Sequence, residues 1–190
     1  MSWLAETLRG DLERHDNSLR HLGLWVVGVY HFGVWANERR TPLARWLSSR
    51  AYGLSSLLIE LGTGCLIDRN TSIGVGLRII HAGSVRIHPD AVIGNRVRIM
   101  NDVTIGTANI REHPGVPRIG NDVLIGAGAR ILGPVTVGDG AVIAANTVVI
   151  TDVPPGATVI GVPGRVLPAA RPGARRPATT PIPAPAAATG

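Results

Sequence analysis

Residues 119–148 read IGNDVL, IGAGAR, ILGPVT, VGDGAV and IAANTV when cut every six positions. Each hexad opens on Ile or Val, and a small residue usually follows. A period of six fits neither the 3.6-residue repeat of a helix nor the two-residue alternation of a half-buried strand. It fits a short strand and a tight turn, repeated, with the leading aliphatic pointing inward. Working outward, the same beat runs through Ile67, Ile73, Ile79, Ile87, Ile93, Ile99, Ile105, Ile119, Ile125, Ile131, Val137, Ile143 and Val149. Every step is six except two, eight from Ile79 to Ile87 and fourteen from Ile105 to Ile119. Glycine at 74, 94, 106, 120, 126 and 138 is expected to relieve the steric cost of bent backbone at the corners. Stacked coils pair their strands about 4.8 Å apart. No single coil buries its own core; stacking does. The expected fold class is mainly β, a parallel β-helix over residues 62–167.

The flanks read differently. Residues 1–61 are expected to be helical. Thr41 is placed to cap TPLARWLSSRAYGLSSLLIEL, with Pro42 at the first helical position. Leu43, Trp46, Leu47, Leu54, Leu57, Leu58 and Leu61 then form an apolar stripe at helical spacing, and Gly62 and Gly64 stop the helix. The apolar run LGLWVVGVYHFGVWA (22–36) is short for a membrane span and reads as a buried or oligomer-facing helix. Residues 168–190 are rich in Pro, Ala and Thr and are expected to be disordered.

Composition bounds the function. Aromatics make up only 4% of the chain, so the core must be built from Val, Ile, Leu and Ala. The net charge is +6 and all 19 basic residues are arginine, several of them in the tail. The arginine-bearing tail has no aromatics to stack on bases, which argues against nucleic acid as a partner. The N-terminus is polar and acidic where a secretion signal needs a basic region and an apolar run, and no integral membrane segment is expected. A lone cysteine, Cys65, excludes an intrachain disulfide and suits a reducing compartment, so a cytoplasmic location is expected.

Both breaks in the repeat carry a histidine. His81 lies in the two-residue slip, and His113 lies in the loop ANIREHPG (108–115). A packed coil has no room for extra residues, so they must bulge outward at a corner, where bulges re-aim side chains. His88 follows an inward Ile at a regular corner and reads as structural or merely exposed.

The hexads, with GLRIIHAG, IHPDAVIG and the run from HPGVPRIGNDVLIGAGARIL to GVPGRV, resemble the hexapeptide-repeat acyltransferases, and among them the serine O-acetyltransferase branch. The resemblance covers roughly residues 40–167. It implies a left-handed coil, a hand that the period alone does not give, and about three hexads per turn. Four hexads separate the two breaks, so they open on different corners. A homotrimer, or a dimer of trimers, with sites between neighbouring subunits would bring the corners together.

The resemblance also implies acetyl transfer from acetyl-CoA to a small-molecule hydroxyl, with no metal. Such a reaction needs a base, and imidazole, with an ordinary pKa of about 6.5, suits it. It also needs donors for the developing oxyanion. By resemblance His81 is the base, the N–H groups near Gly106 and Thr107 are the oxyanion donors, and His113 helps place the acceptor beside Arg111 and Glu112. Gly126, Ala127 and Ala145 let the pantetheine arm of the cofactor lie against the backbone, and Arg165 meets its phosphates.

The chain departs from the family pattern in places. Ile80 stands where the family has an aspartate directly before the base. Leu66 stands where a second aspartate orients it, with Asp68 nearby. Glu112 replaces the arginine that holds the serine carboxylate, with Arg111 one step earlier. The N-terminal helical domain is abbreviated, and the chain ends at Gly190 without the terminal isoleucine that docks into a sulfhydrylase, so no such docking is expected. O-acetylation of a sugar, polysaccharide or secondary metabolite is therefore the competing activity. A catalytically silent trimeric scaffold is the competing class. A carbonic anhydrase-like metal site needs histidine spacing that His81, His88 and His113 do not show.

Overall fold

The computed structural model describes residues 3–108 and 115–167. Three helices come first: α1 (Trp3–Arg14), α2 (Leu22–Asn37) and α3 (Pro42–Thr63). Thr41 precedes α3 in extended backbone and Pro42 opens it, though the Thr41 hydroxyl makes no cap bond. The helix runs on through Gly62 and stops at Gly64, whose φ of +68° suits glycine and whose N–H reaches the Glu60 carbonyl at 2.7 Å.

α2 is buried as its sequence implies. Val27 and Ala36 are fully covered, and Val26, Val27 and Tyr30 join the core of the first coil. Gly23 lies so close to β-helix backbone that a Cβ there would sit 2.0 Å from the Ile79 carbonyl oxygen. The stripe on α3 does not face the core. Leu43, Trp46, Leu47, Leu54, Leu57, Leu58 and Leu61 are all exposed, and α3 has no buried residue. The helix turns the opposite side inward instead: Ile59 packs on the core, Tyr52 lies against Gly33, and the Ser48 hydroxyl reaches the Ala36 carbonyl.

Among the described residues fifteen short strands, β1–β15 in chain order, follow and form three stacked faces. The first face stacks β1 (Leu66–Ile67), β4 (Arg86–Ile87), β7 (Thr104–Gly106), β10 (Arg130–Leu132) and β13 (Val148–Val149). The second stacks β2 (Ser72–Ile73), β5 (Val92–Ile93), β8 (Arg118–Ile119) and β11 (Thr136–Val137). The third stacks β3 (Arg78–Ile79), β6 (Arg98–Ile99), β9 (Leu124–Ile125), β12 (Val142–Ile143) and β14 (Thr158–Ile160), and ends in β15 (Arg165–Leu167). All pairings are parallel except β14 with β15. Register places the leading aliphatics in ladders, such as Ile67, Ile87, Ile105, Ile131 and Val149 on the first face. Nearly all are buried, and burial of each such side chain contributes roughly 1.5–3 kcal/mol.

The corners correct one expectation. The glycine after each aliphatic does not take a left-handed conformation; residues such as Arg96, Asp122 and Asn146 do, two or three places later. Glycine is needed there because coils approach closely. Gly74, Gly94, Gly120 and Gly138 form a column between the second and third faces, and a Cβ on Gly94 would lie 2.5 Å from the Gly120 carbonyl oxygen. Beside that column the side chains of Asn95, Asn121 and Asp139 each accept an N–H from the coil before: Val75 to Asn95 at 2.9 Å, Asn95 to Asn121 at 2.9 Å, and Asn121 to Asp139 at 2.7 Å. These bonds hold the Asp139 carboxyl below the usual carboxylate range, as the Arg96 guanidinium, 2.7 Å away, does for Asp122.

Candidate active site

The first break falls between β3 and β4, at the edge joining the third face to the first. His81 is exposed there. In the next three coils the same edge is made by residues 100–103, 126–129 and 144–147. Backbone bonds fix that alignment: Ile80 N–H to the Ile99 carbonyl at 2.9 Å, Met100 to Ile125 at 3.0 Å, and Gly126 to Ile143 at 2.8 Å. His81 therefore shares one edge with Gly126, Ala127 and Ala145, and at about 4.8 Å per coil the edge from His81 to Ala145 spans roughly 14 Å. Gly126 is buried and a Cβ there would lie 2.6 Å from the Ala145 nitrogen, so glycine lets successive coils approach closely at this edge. Ala127 is half-buried and Ala145 exposed, so small residues line this edge two and three coils beyond His81.

The second break falls between β7 and β8, at the edge joining the first face to the second. Thr107 is half-buried at its mouth, just after the buried Gly106. The chain returns at Gly115, where φ is +146° and a Cβ would meet Pro134 at 2.7 Å. Arg111, Glu112 and His113 lie outside the described residues. The two breaks thus open on different edges, and one chain does not bring His81 and Thr107 to the same edge. Arg165 is exposed on β15, opposite Ile160.

The family departures have a visible consequence. No described residue hydrogen-bonds or ion-pairs with His81. Leu66 is 40% exposed and carries no polar atom to orient a ring, while Asp68 spends its carboxylate on the Asn70 N–H at 2.7 Å. His88 serves its own turn, with Nδ1 accepting the Asp90 N–H at 3.2 Å. Among the described residues no group of three or more potential ligands gathers to hold a metal ion.

Two features escaped the sequence. Asn101 sits on the His81 edge one coil further on, its carbonyl taking the Gly128 N–H at 3.0 Å; its place in a regular hexad gave no signal. A polar cavity of about 330 Å³ lies where the end of α1 meets the third face, lined by Arg14, Asp16, Arg78, Arg96, Arg98 and Asp122 among others. Its central ion pair, Arg78 to Asp16 at 2.7 Å, joins residues 62 positions apart that nothing in either local pattern connects.

Residues 117–151 match the family model described as bacterial transferase hexapeptide (six repeats). The chain is 34% identical over 172 residues to the serine acetyltransferase of Mycobacterium tuberculosis, an alignment covering 86% of this chain and 73% of that protein. The chain belongs to the serine acetyltransferase family. Its coil is accordingly a left-handed parallel β-helix. Among solved structures, the Neisseria gonorrhoeae serine acetyltransferase in complex with serine superposes with a TM-score of 0.71 at 26% identity, over 87% of this chain and 69% of that one. A serine acetyltransferase in complex with CoA superposes with a TM-score of 0.68 at 27% identity, over 86% and 68%. The chain spans 55–57% of the length of the curated relatives from Escherichia coli and Synechococcus elongatus. No helix among the described residues is long and apolar enough to cross a membrane.

Proposed function

We propose that this chain transfers the acetyl group of acetyl-CoA to the hydroxyl of L-serine, giving O-acetylserine and CoA. The observation that carries the reading is the shared edge of the coil: an exposed imidazole on a two-residue bulge, in line with the small residues Gly126, Ala127 and Ala145, in a member of this family. That edge suits an extended pantetheine arm, which delivers the thioester to His81, and Arg165 is assigned to the cofactor's phosphates. His81 takes the hydroxyl proton as the oxygen attacks the thioester carbon. Backbone N–H groups at Gly106 and Thr107 steady the tetrahedral oxyanion. Collapse breaks the C–S bond, and the imidazolium returns its proton to the departing thiolate.

Because the breaks open on different edges, the working unit is a homotrimer in which the loop of one subunit, with Arg111, Glu112 and His113, faces the His81 edge of its neighbour. The location is cytoplasmic, which the buried free thiol of Cys65 supports. One observation favours a second acceptor class. By resemblance Glu112 stands where an arginine would hold the serine carboxylate and would repel it, so a sugar, polysaccharide or secondary-metabolite hydroxyl is the alternative.

Thiol release from acetyl-CoA, measured across serine, homoserine and sugar acceptors, tests both readings. Serine is expected to give the highest kcat/KM; a sugar ahead of serine moves the assignment to the alternative. His81→Ala is expected to lower kcat by about 10²–10⁴-fold. An unchanged rate in that variant would remove the proposed base, and absence of thiol release by the wild type with every acceptor would leave the scaffold reading.

A further inference from the structure

The polar cavity between the end of α1 and the third face holds positive charge that its own carboxylates do not answer. Arg78 and Arg98 are register partners on β3 and β6, with Ile79 and Ile99 buried beside them, so both side chains leave the same face about 4.8 Å apart. Like charges directly opposite one another on a ladder destabilise it. Arg14 and Arg96 bring two more guanidinium groups to the same space of about 330 Å³. Three carboxylates line it with them, and each already has a cation. Asp16 accepts from Arg78 at 2.7 Å, Asp122 takes both prongs of Arg96, with Nε at 2.7 Å, and Glu13 lies 3.8 Å from Arg9. Arg14 and Arg98 make no hydrogen bond or ion pair with a described residue. The Arg96 hydrogen bond holds the Asp122 carboxyl below the usual carboxylate range, and Arg14 and Arg98 add to that effect through space. Arg14 is nevertheless seated. Its guanidinium lies against Gly76, where a Cβ would come 2.5 Å from Nε. Arg78 Nε is buried and lacks a partner.

We infer that this cavity binds a small phosphate-bearing dianion, held from the helical side by Arg14 and from the coil by Arg98 and Arg78. Two guanidinium groups without a carboxylate partner match the charge of phosphate or a phosphate monoester at neutral pH. The planar fork of arginine suits pairs of phosphate oxygens. The volume lies at the small end of the range for ligand pockets, which leaves room for the phosphate and a few carbons. An anion there joins α1 to the third face and relieves the repulsion between Arg78 and Arg98, so binding stabilises the docked helices by mass action. The cavity lies toward the edge where Gly76, Arg96 and Asp122 turn from the second face to the third. His81 is on the other edge of that face, so the inference does not depend on the acetyl-transfer reading.

Calorimetric titration and thermal melts of the full chain test it, with inorganic phosphate and glycerol 3-phosphate as probes. Ionic strength is held constant with chloride, so that general screening of the arginines is the same throughout. Saturable binding at one site per chain and a raised melting temperature are expected. The probe that binds more tightly identifies the source, free phosphate or an ester whose carbons also enter the cavity. Arg98→Gln and Arg14→Gln alter exposed side chains, and each is expected to weaken binding about tenfold or more. Without either probe, Arg98→Gln is expected to melt no lower than wild type, because it removes a like charge beside Arg78. A purely structural arginine would instead lower the melting temperature equally with and without phosphate, and that result would overturn the site. So would the lack of saturable binding of both probes at millimolar concentration, or binding that both variants retain in full.

Discussion

At the scale of single residues, Tyr30 ties the helices to the coil. Its ring is 5% exposed and its hydroxyl donates to the Thr71 carbonyl at 2.8 Å. Burial disfavours the phenolate and pushes the pKa from the ordinary 10.0 up to about 12. The folded value lies above the unfolded one, so the stabilising contribution is whole below pH ~10 and is lost as pH rises through ~12. The two-unit difference corresponds to about 2–3 kcal/mol. Urea melts at pH 9 and pH 12 are expected to differ by that amount in wild type and to differ less in Tyr30→Phe, which has no proton to lose. Ile125, fully buried in the middle of its ladder, offers a simpler reading: Ile125→Ala is expected to cost ~2–5 kcal/mol in the same melts. His81 could be singled out in the sequence because it interrupts a strict period. What lies beside it could not be read, since Asn101 reaches that edge from the next coil through register and not through adjacency.

At the scale of elements, the corner glycines separate two uses of one residue type. Gly64 ends a helix through its φ, whereas Gly94 has no special φ and exists for closeness between coils. Gly94→Ala would press a methyl against the Gly120 carbonyl and is expected to destabilise by ~1–3 kcal/mol in a denaturant melt. The small residues on the His81 edge have a functional readout. Ala145 is exposed, so Ala145→Trp is expected to leave the melting temperature nearly unchanged while raising the KM for acetyl-CoA at least tenfold; an unchanged KM would move the cofactor to another edge. The strands were legible because an inward aliphatic every six residues specifies where each must lie. The orientation of α3 was not. An amphipathic pattern fixes which residues share a face, but not whether that face meets its own chain, and here the side with Tyr52 and Ile59 took the intramolecular contact.

At the scale of the whole molecule, thirteen hexads dictate a straight prism, and its hand came from family likeness because a period carries no chirality. The cavity between α1 and the third face belongs to this scale too, since the Arg78–Asp16 pair forms only after the helices fold back on the first coil. That folding back has a consequence for solubility. A parallel stack exposes unpaired N–H and C=O groups at each end, an invitation to pair with another stack without limit. α2 lies against the beginning of the first coil, with Gly23 tight on the Ile79 carbonyl, and β15 reverses direction against β14 so that the third face finishes on a strand of opposite sense. The protein thus carries a stopper at each end of a shape that would otherwise grow into a fibre.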